Sequence, residues 1–597
     1  MENLPIEVSQ STSLGEMFFS SAKLYGKNNF LGIVENDKII WDSYDELMTR
    51  VKLIGAGLKM CCFNNNPIVG LVEANSKYWV ISAFATYAIG GTFIPMYPNE
   101  LPINIGHILN DAGINILIVA DDNIRKQIRK YLTDDITVIT IRSADYKNSF
   151  PFIEELGKQN PFDFPKVDEN QIAEIIYTSG TTGSSKGVQL THKNLISNVF
   201  ASHKYWNNLV ESDCSLSILP WAHSFGQTCE LHFMMINGGS IVLNSDKETL
   251  LQELKIVKPT HLLGVPKIFN KIMNFIISEV KYRPAIVRGV FNMGLFSFNR
   301  SELAKTLWTR IIHKLIHKVI NVFLYKTIRK AFGGCVKAFM CGSANLSIEV
   351  EQFFRALDMP LYNGYGLTEC SPVVSVNSPK NVRRGSVGLP LIGTEIQIRK
   401  FDGYPDSDSG EVCVKSDSLM IGYLNLKEQT EKYFTSEGFF KTGDIGRIDD
   451  DGYLYIIGRI KDGYKLSNGK YCVPNLIEEA ICMLPYIEHA FVYGENRAFN
   501  ICLVTLDLKV LCKYAEAFDI KQNTITILGS MWLKDFIVTE IQKHLEPLFN
   551  KYMLPVKVKI LGESFSVKNG MLTTTQKIRR AAILKKYESE IASLFEQ

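Results

Sequence analysis

Short apolar, β-branched runs alternate with longer helical patterns through the first part of the chain. NPIVGLVEA (66–74) has the texture of a buried strand, SKYWVISAFATYAIGG (76–91) that of a helix, INIGHILNDAG (103–113) an amphipathic helix, and NILIVAD (115–121) another strand. Such alternation predicts βαβ units around a mainly parallel sheet. The apolar stretch from Tyr78 to Tyr97 is long enough to raise a membrane span. Its Gly90, Gly91 and Pro95 fit a buried helix running into a strand better.

From about residue 388 the pattern shortens to strands and turns: GTEIQIRKFDG (393–403), SGEVCVKS (409–416) and GYLYIIGRI (452–460). A β-rich subdomain over about 388–460 is expected. After GRIKDG the pattern is mixed again, with NLIEEAICML (475–484) helical and HAFVYGE (489–495) and FNICLVTLD (499–507) strand-like. The fold class predicted is α/β: a large N-terminal domain (1–460) of layered helices and sheets with its β-rich subdomain, then a small, mobile α+β C-terminal domain (461–597).

Composition changes this picture little. At 597 residues, 46% hydrophobic and 21% charged, the chain has the makeup of a folded multidomain protein. A net charge of +3 gives no reason to expect nucleic acid. The 12 cysteines include no C-x-x-C pair, which points away from zinc and from a disulfide framework and toward a reducing, cytoplasmic setting. The N-terminal MENLPIEVSQ lacks the basic and apolar regions of a secretory signal.

Charge is uneven in one place. Between Lys281 and Lys330 the cations Arg283, Arg288, Arg300, Lys305, Arg310, Lys314, Lys318, Lys326, Arg329 and Lys330 are opposed only by Glu302, with Leu307, Trp308, Ile311, Ile312, Leu315 and Val319 among the apolar residues between them. A basic amphipathic helix of this type fits a membrane surface. It equally fits a helix packed on its own protein with a solvated basic face. His313 and His317 lie one helical turn apart, but without the glutamate of an H-E-x-x-H arrangement they read as structural.

The clearest chemical signal is YTSGTTGSSKGVQLTH (177–192). It fails the G-x-x-x-x-G-K-[ST] phosphate loop, because Ser185 precedes Lys186 and Gly187 follows it, and it offers no G-x-G-x-x-G spacing. Small residues after the strand-like AEIIY (173–177) still leave room for amides and hydroxyls to converge on an anion. Four clusters follow: CGSANLS (341–347), YNGYGLTECSP (362–372), KTGDIGRIDDDGYLYIIGRIKDGYKLSNGKY (441–471) and TTTQKIRR (573–580).

In that order, and across nearly the whole chain, these motifs resemble the adenylate-forming superfamily of acyl-CoA synthetases, luciferases and peptide-synthetase adenylation domains. KDGYKLSNGKYCVP (461–474), LPWAHSFGQTCEL (219–231), VPKIFNKI (265–272) and TTTQKIRR are most similar to long-chain fatty acyl-CoA synthetases. The resemblance implies activation of a fatty acid by Mg·ATP to an acyl-adenylate and pyrophosphate, then acyl transfer to CoA with release of AMP. Transfer to acyl carrier protein would use the same first step.

It also implies roles. Thr178, Ser179, Gly180, Thr181, Thr182, Gly183 and Lys186 would form the loop for the β- and γ-phosphates. Glu369 would be the Mg²⁺ ligand, and Thr368 a hydrogen-bond donor to the α-phosphate. Tyr365, between Gly364 and Gly366, would stack on adenine, with Asn363 and the Gly342, Ser343, Ala344 loop along its edge. Asp444 would accept from the ribose hydroxyls, supported by Arg459. Lys577 would be the catalytic lysine, Lys461 the hinge, and Lys465, Ser467 and Gly469 part of a thiol channel, while His223 would position the carboxylate. Two positions depart from the family pattern: Ser185 replaces a usual proline, and Gly458 a frequent acidic residue.

Overall fold

In the computed structural model, residues 1–4, 62–65, 179–184, 207, 247, 305, 402–403, 405–406, 517–530, 574–575 and 597 lie outside the described part of the structure. Two large sheets dominate the rest. In the seven-stranded sheet, Ile68–Val72 lies between Thr92–Met96 and Ile116–Asp121, all parallel, with Thr137–Arg142 beyond the latter. The other end departs from the parallel expectation: Ile172–Thr178 and Lys186–Thr191 are antiparallel, and Gly422–Tyr423 pairs antiparallel with the second of them. The reason is geometric, since strands separated by so short a connection can return only as a hairpin. The glycine-rich segment is that connection, and KGVQLT is a strand.

The nine-stranded sheet carries parallel strands Cys214–Ser217, His261–Gly264, Ala338–Cys341 and Leu361–Gly366 near its middle, with antiparallel pairs toward both edges. Between the sheets runs Lys77–Ala88, N-capped by Ser76 and buried from Trp79 to Ala88. A helix apolar on every side belongs in a core, not on a surface. Trp79 meets Phe93 and Trp221 edge-on, at 5.2 and 5.7 Å between ring centroids.

Glu395–Arg399, Gly410–Lys415, Phe440–Ile448 and Leu454–Arg459 form a separate antiparallel sheet. The last part of the chain has its own three-stranded sheet, Ile487–Tyr493, Asn500–Leu506 and Pro555–Ile560, with a core that includes Ile477, Ile481, Val492 and Leu533. Lys461 lies in the turn just after Leu454–Arg459, and Lys465, Ser467 and Gly469 follow on an exposed hairpin whose tip places Gly469 at φ +79°.

The basic segment is not one helix. Ala285–Leu303 ends at Ala304, whose extended backbone (φ −68°, ψ 124°) turns the chain, and Leu307–Ile320 packs back on it before a π-turn at Asn321–Tyr325. Phe291, Ile320 and Tyr325 anchor this hairpin in the same core as Phe353. His317 Nε2 lies 2.7 Å from the Ala356 carbonyl oxygen, and His313 packs edge-on to Phe296, so both histidines are structural here.

Candidate active site

The site assembles at the carboxyl ends of strands, where an open α/β sheet leaves its crevice. Leu361–Gly366 delivers Asn363, Gly364, Tyr365 and Gly366, and the 3₁₀ turn Thr368–Cys370 then presents Thr368 and Glu369. Gly366 is required by close approach, because a Cβ there would stand 2.1 Å from the Pro372 carbonyl oxygen. Gly342, Ser343 and Ala344 follow Ala338–Cys341 on the neighbouring strand, Ser343 with φ +69°.

Asp444 and Arg459 face each other in the antiparallel register of Phe440–Ile448 and Leu454–Arg459, and their side chains pair at 3.0 Å, Nε to Oδ1. The phenol of Tyr365 donates to the other carboxylate oxygen, Oδ2, at 2.6 Å. Each carboxylate oxygen has two lone pairs. With one on each taken, Asp444 retains an acceptor position on both oxygens, a match for a vicinal diol. The phenol itself is held well above its usual pKa, by burial first and then by the Asp444 charge, so it stays a donor.

Asn363 is buried, and its Oδ1 has no partner among the described residues. A buried orphan acceptor is costly unless a ligand supplies a donor. An exocyclic amine on a base stacked near Tyr365 would do so.

Glu369 accepts from the Tyr423 phenol at 2.7 Å through Oε1. Lys186 Nζ lies 4.8 Å from the centre of the Tyr423 ring and 5.2 Å from that of Tyr433, at the base of the hairpin loop. Tyr423 was not singled out from the sequence, although it forms the strand paired with the one beginning at Lys186. Among the described residues no group of three or more His, Cys, Asp or Glu could hold a metal. A lone carboxylate beside a hydroxyl nevertheless fits Mg²⁺, which commonly takes one or two protein carboxylates and completes its shell with phosphate and water. Thr178 ends its strand at the mouth of the loop, whereas Ser179, Gly180, Thr181, Thr182 and Gly183 lie outside the described residues.

His223 caps the turn Ser224–Gly226, its Nδ1 accepting from the Phe225 amide at 3.1 Å. Its pKa falls to about 4, through burial and then the charge of Lys577, so the imidazole is neutral with the proton on Nε2. Ser224 places its hydroxyl 3.3 Å from that of Thr368, a second contact the sequence did not reveal. Both His223 and Ser224 border a cavity that runs from Gly364 and Tyr365 to the apolar walls of Trp206, Phe233 and Met340.

Lys577 comes from the far end of the chain to the same place. Lys577 is exposed, yet burial of its ammonium by the surrounding protein, and next the charge of Arg459, hold it down to about 8 against the attraction of Asp444, Glu369 and Asp462. A second cavity has Tyr177 and Ser185 on one wall and Leu572 and Arg579 on another. Lys465, Ser467 and Gly469 are exposed on their own hairpin.

Comparison with known proteins identifies the family of the chain. Residues 22–424 match the family model described as AMP-binding enzyme. The chain is 28% identical to the rat long-chain-fatty-acid–CoA ligase 5, covering 94% of this chain and 85% of that one. It is 26% identical to fatty acyl-CoA synthetase B of Dictyostelium discoideum, covering 99% and 91% respectively. Among solved structures, the adenylation domain of a Mycobacterium chelonae carboxylate reductase superposes with a TM-score of 0.78 at 20% identity, covering 100% of this chain and 94% of that one. ATP-bound MatB from Rhodopseudomonas palustris gives 0.70 at 22% identity, covering 95% and 98%. With a family model spanning well over half its length, the chain belongs to the AMP-binding enzymes.

Proposed function

We propose that this protein is an AMP-forming fatty acid–CoA ligase. The observation that carries the reading is convergence: a lysine from the C-terminal part lies in the field of Glu369, Asp444 and Arg459, beside a largely apolar cavity lined by His223 and Ser224. The names of the similar long-chain-fatty-acid–CoA ligases support the choice of acid and acceptor.

In the first step a carboxylate oxygen attacks the α-phosphorus of ATP. The bond to the β-phosphate bridge breaks and pyrophosphate leaves. Tyr365 stacks on adenine, with Asn363 and the Gly342–Ala344 loop along its edge, and Asp444 accepts from the ribose diol with Arg459 behind it. Thr368 donates to the α-phosphate, and His223 positions the incoming carboxylate, which needs no base because it is already ionised at neutral pH. Lys577, as an ammonium, holds carboxylate and α-phosphate in line, and such positioning is where phosphoryl-type transfer gains most of its rate. Lys186 and the hairpin loop after Thr178 hold the β- and γ-phosphates. Glu369, with Tyr423 fixing one of its oxygens, would hold Mg²⁺. Bound with the nucleotide, the cation supplies positive charge to the phosphate oxygens.

In the second step the CoA thiol attacks the acyl carbonyl, the carbon–oxygen bond to phosphate breaks, and AMP leaves. A swing of residues 461–597 about Lys461 would withdraw Lys577 and bring the Lys465–Gly469 hairpin to the thiol, so one site serves two reactions.

The test incubates purified protein with Mg·ATP, CoA and acids from acetate to oleate, following AMP, pyrophosphate and thioester. Thioester formation with a long-chain optimum, abolished in Lys577→Ala, is expected. Absence of adenylate with every acid would overturn the proposal.

A further inference from the structure

The helix Leu307–Ile320 has three faces rather than two. The inner face is satisfied: Ile320 is buried, His317 meets the Ala356 carbonyl, and His313 packs on Phe296. A second row recurs at helical spacing on the outside: Trp308 is 77% exposed, Ile312 52%, Leu315 58%, Val319 57% and, past the π-turn, Phe323 80%. Isolated exposed apolar residues are ordinary, but a continuous row of this length marks a contact surface. Arg310, Lys314 and Lys318 are exposed at every fourth position beside it. On the packed partner helix, Ile286 and Phe296 are 80% and 54% exposed.

We infer that this hairpin docks on anionic lipid bilayers, seating the Trp308–Phe323 row at the boundary between headgroups and acyl chains, with Arg310, Lys314 and Lys318 against lipid phosphates and carboxylates.

Charge identifies the occupant. No acidic residue occurs between Leu307 and Ile320, and the nearby Glu302 is already paired with Arg355 at 2.8 Å. A two-fold contact with a second copy would bring this cationic row against itself, and like charges across an interface are costly. An anionic bilayer opposes it with the complementary sign and accepts the apolar row in the same plane. Spanning is excluded by length: among the described residues no helix is long and apolar enough to cross a membrane. At a rise of about 1.5 Å per residue, this helix extends only about 21 Å, so it lies in the surface. The contact needs neither ATP nor acid, and its test is therefore independent of the ligase reading.

Full-length protein is sedimented, without nucleotide, with vesicles of phosphatidylcholine alone or mixed with phosphatidylserine. Preferential binding to the mixed vesicles, weakened by salt, is expected. Trp308→Ser/Phe323→Ser should lower partitioning by at least about tenfold, the scale for losing the burial of one large apolar side chain. Lys314→Glu/Lys318→Glu should abolish the preference for phosphatidylserine. Unchanged circular dichroism and an unchanged thermal unfolding transition control for folding. Should the double serine variant misfold, brominated lipid should quench wild-type tryptophan fluorescence, and Trp308→Phe should lose that quenching. Wild type that ignores anionic vesicles, or variants that bind them equally, would overturn the inference. So would a wild-type dimer that the serine variant disperses in the absence of lipid binding.

Discussion

Glu174 lies on the strand Ile172–Thr178 that leads into the hairpin loop, wholly buried, with Oε1 accepting from Gln227 Nε2 at 3.0 Å. Gln227 follows the turn capped by His223, and its amide also reaches the Tyr87 hydroxyl at 3.2 Å, so Glu174 joins two elements that frame the site. Burial raises its pKa from 4.5 to about 8, outweighing the hydrogen bonds that favour the anion. Between those values the folded chain keeps a proton that the unfolded chain releases, so stability falls as pH rises through that window. At about 1.36 kcal/mol per pH unit, moving from pH 5 to 7.5 costs roughly 3 kcal/mol. Glu174→Gln cannot ionise and loses this slope. It places an amide nitrogen where Oε2 has no partner among the described residues, a penalty of about 1 kcal/mol or more. The variant should therefore be less stable than wild type near pH 5 and more stable near pH 8, with the curves crossing between. Urea midpoints of the tryptophan-reported transition measure this, since Trp79 and Trp221 share the core with the neighbouring Ala173 and Ile176. Parallel pH dependences for the two proteins would refute the reasoning.

Two further predictions concern the site. Tyr365→Phe keeps the ring but removes the 2.6 Å bond to Asp444; the KM for ATP should rise about five- to tenfold with a smaller change in kcat, and an unchanged KM would count against the ribose role. Lys577 must be an ammonium to bridge two anions, so ATP–pyrophosphate exchange should decline as pH rises through about 8, while Lys577→Arg, whatever its absolute rate, should lose that alkaline limb.

How much of this was legible in the sequence varies by element. Lys77–Ala88 was readable because an uninterrupted apolar run broken by glycines and a proline has few other uses. The residue types at 363–369, 444, 459 and 577 were readable as an ordered set. Their partnerships were not: the Tyr365 bond to Asp444 spans 79 positions and exists only because two different sheets meet. Tyr423, flanked by isoleucine, glycine and leucine, carries no local sign of its contact with Glu369, 54 positions away. In the basic segment the charge pattern was plain, but which face is buried depends on Phe291, Tyr325 and Phe353, which no local period reveals.

The way Lys577 is held bears on how one site could serve two steps. Its backbone amide donates to Thr573 Oγ1 at 3.0 Å, a contact within its own loop. Among the described residues its ammonium makes no ion pair, and it feels Asp444, Glu369 and Asp462 only through their fields. With no ion pair to break among the described residues, the net pull on the ammonium depends on the charge present in the site. On the proposed reaction, that charge is greatest with ATP and carboxylate bound and falls once pyrophosphate departs, while Arg459 goes on repelling the ammonium. Loss of product anion would thus weaken the hold on the lysine at the stage when the second step requires its withdrawal.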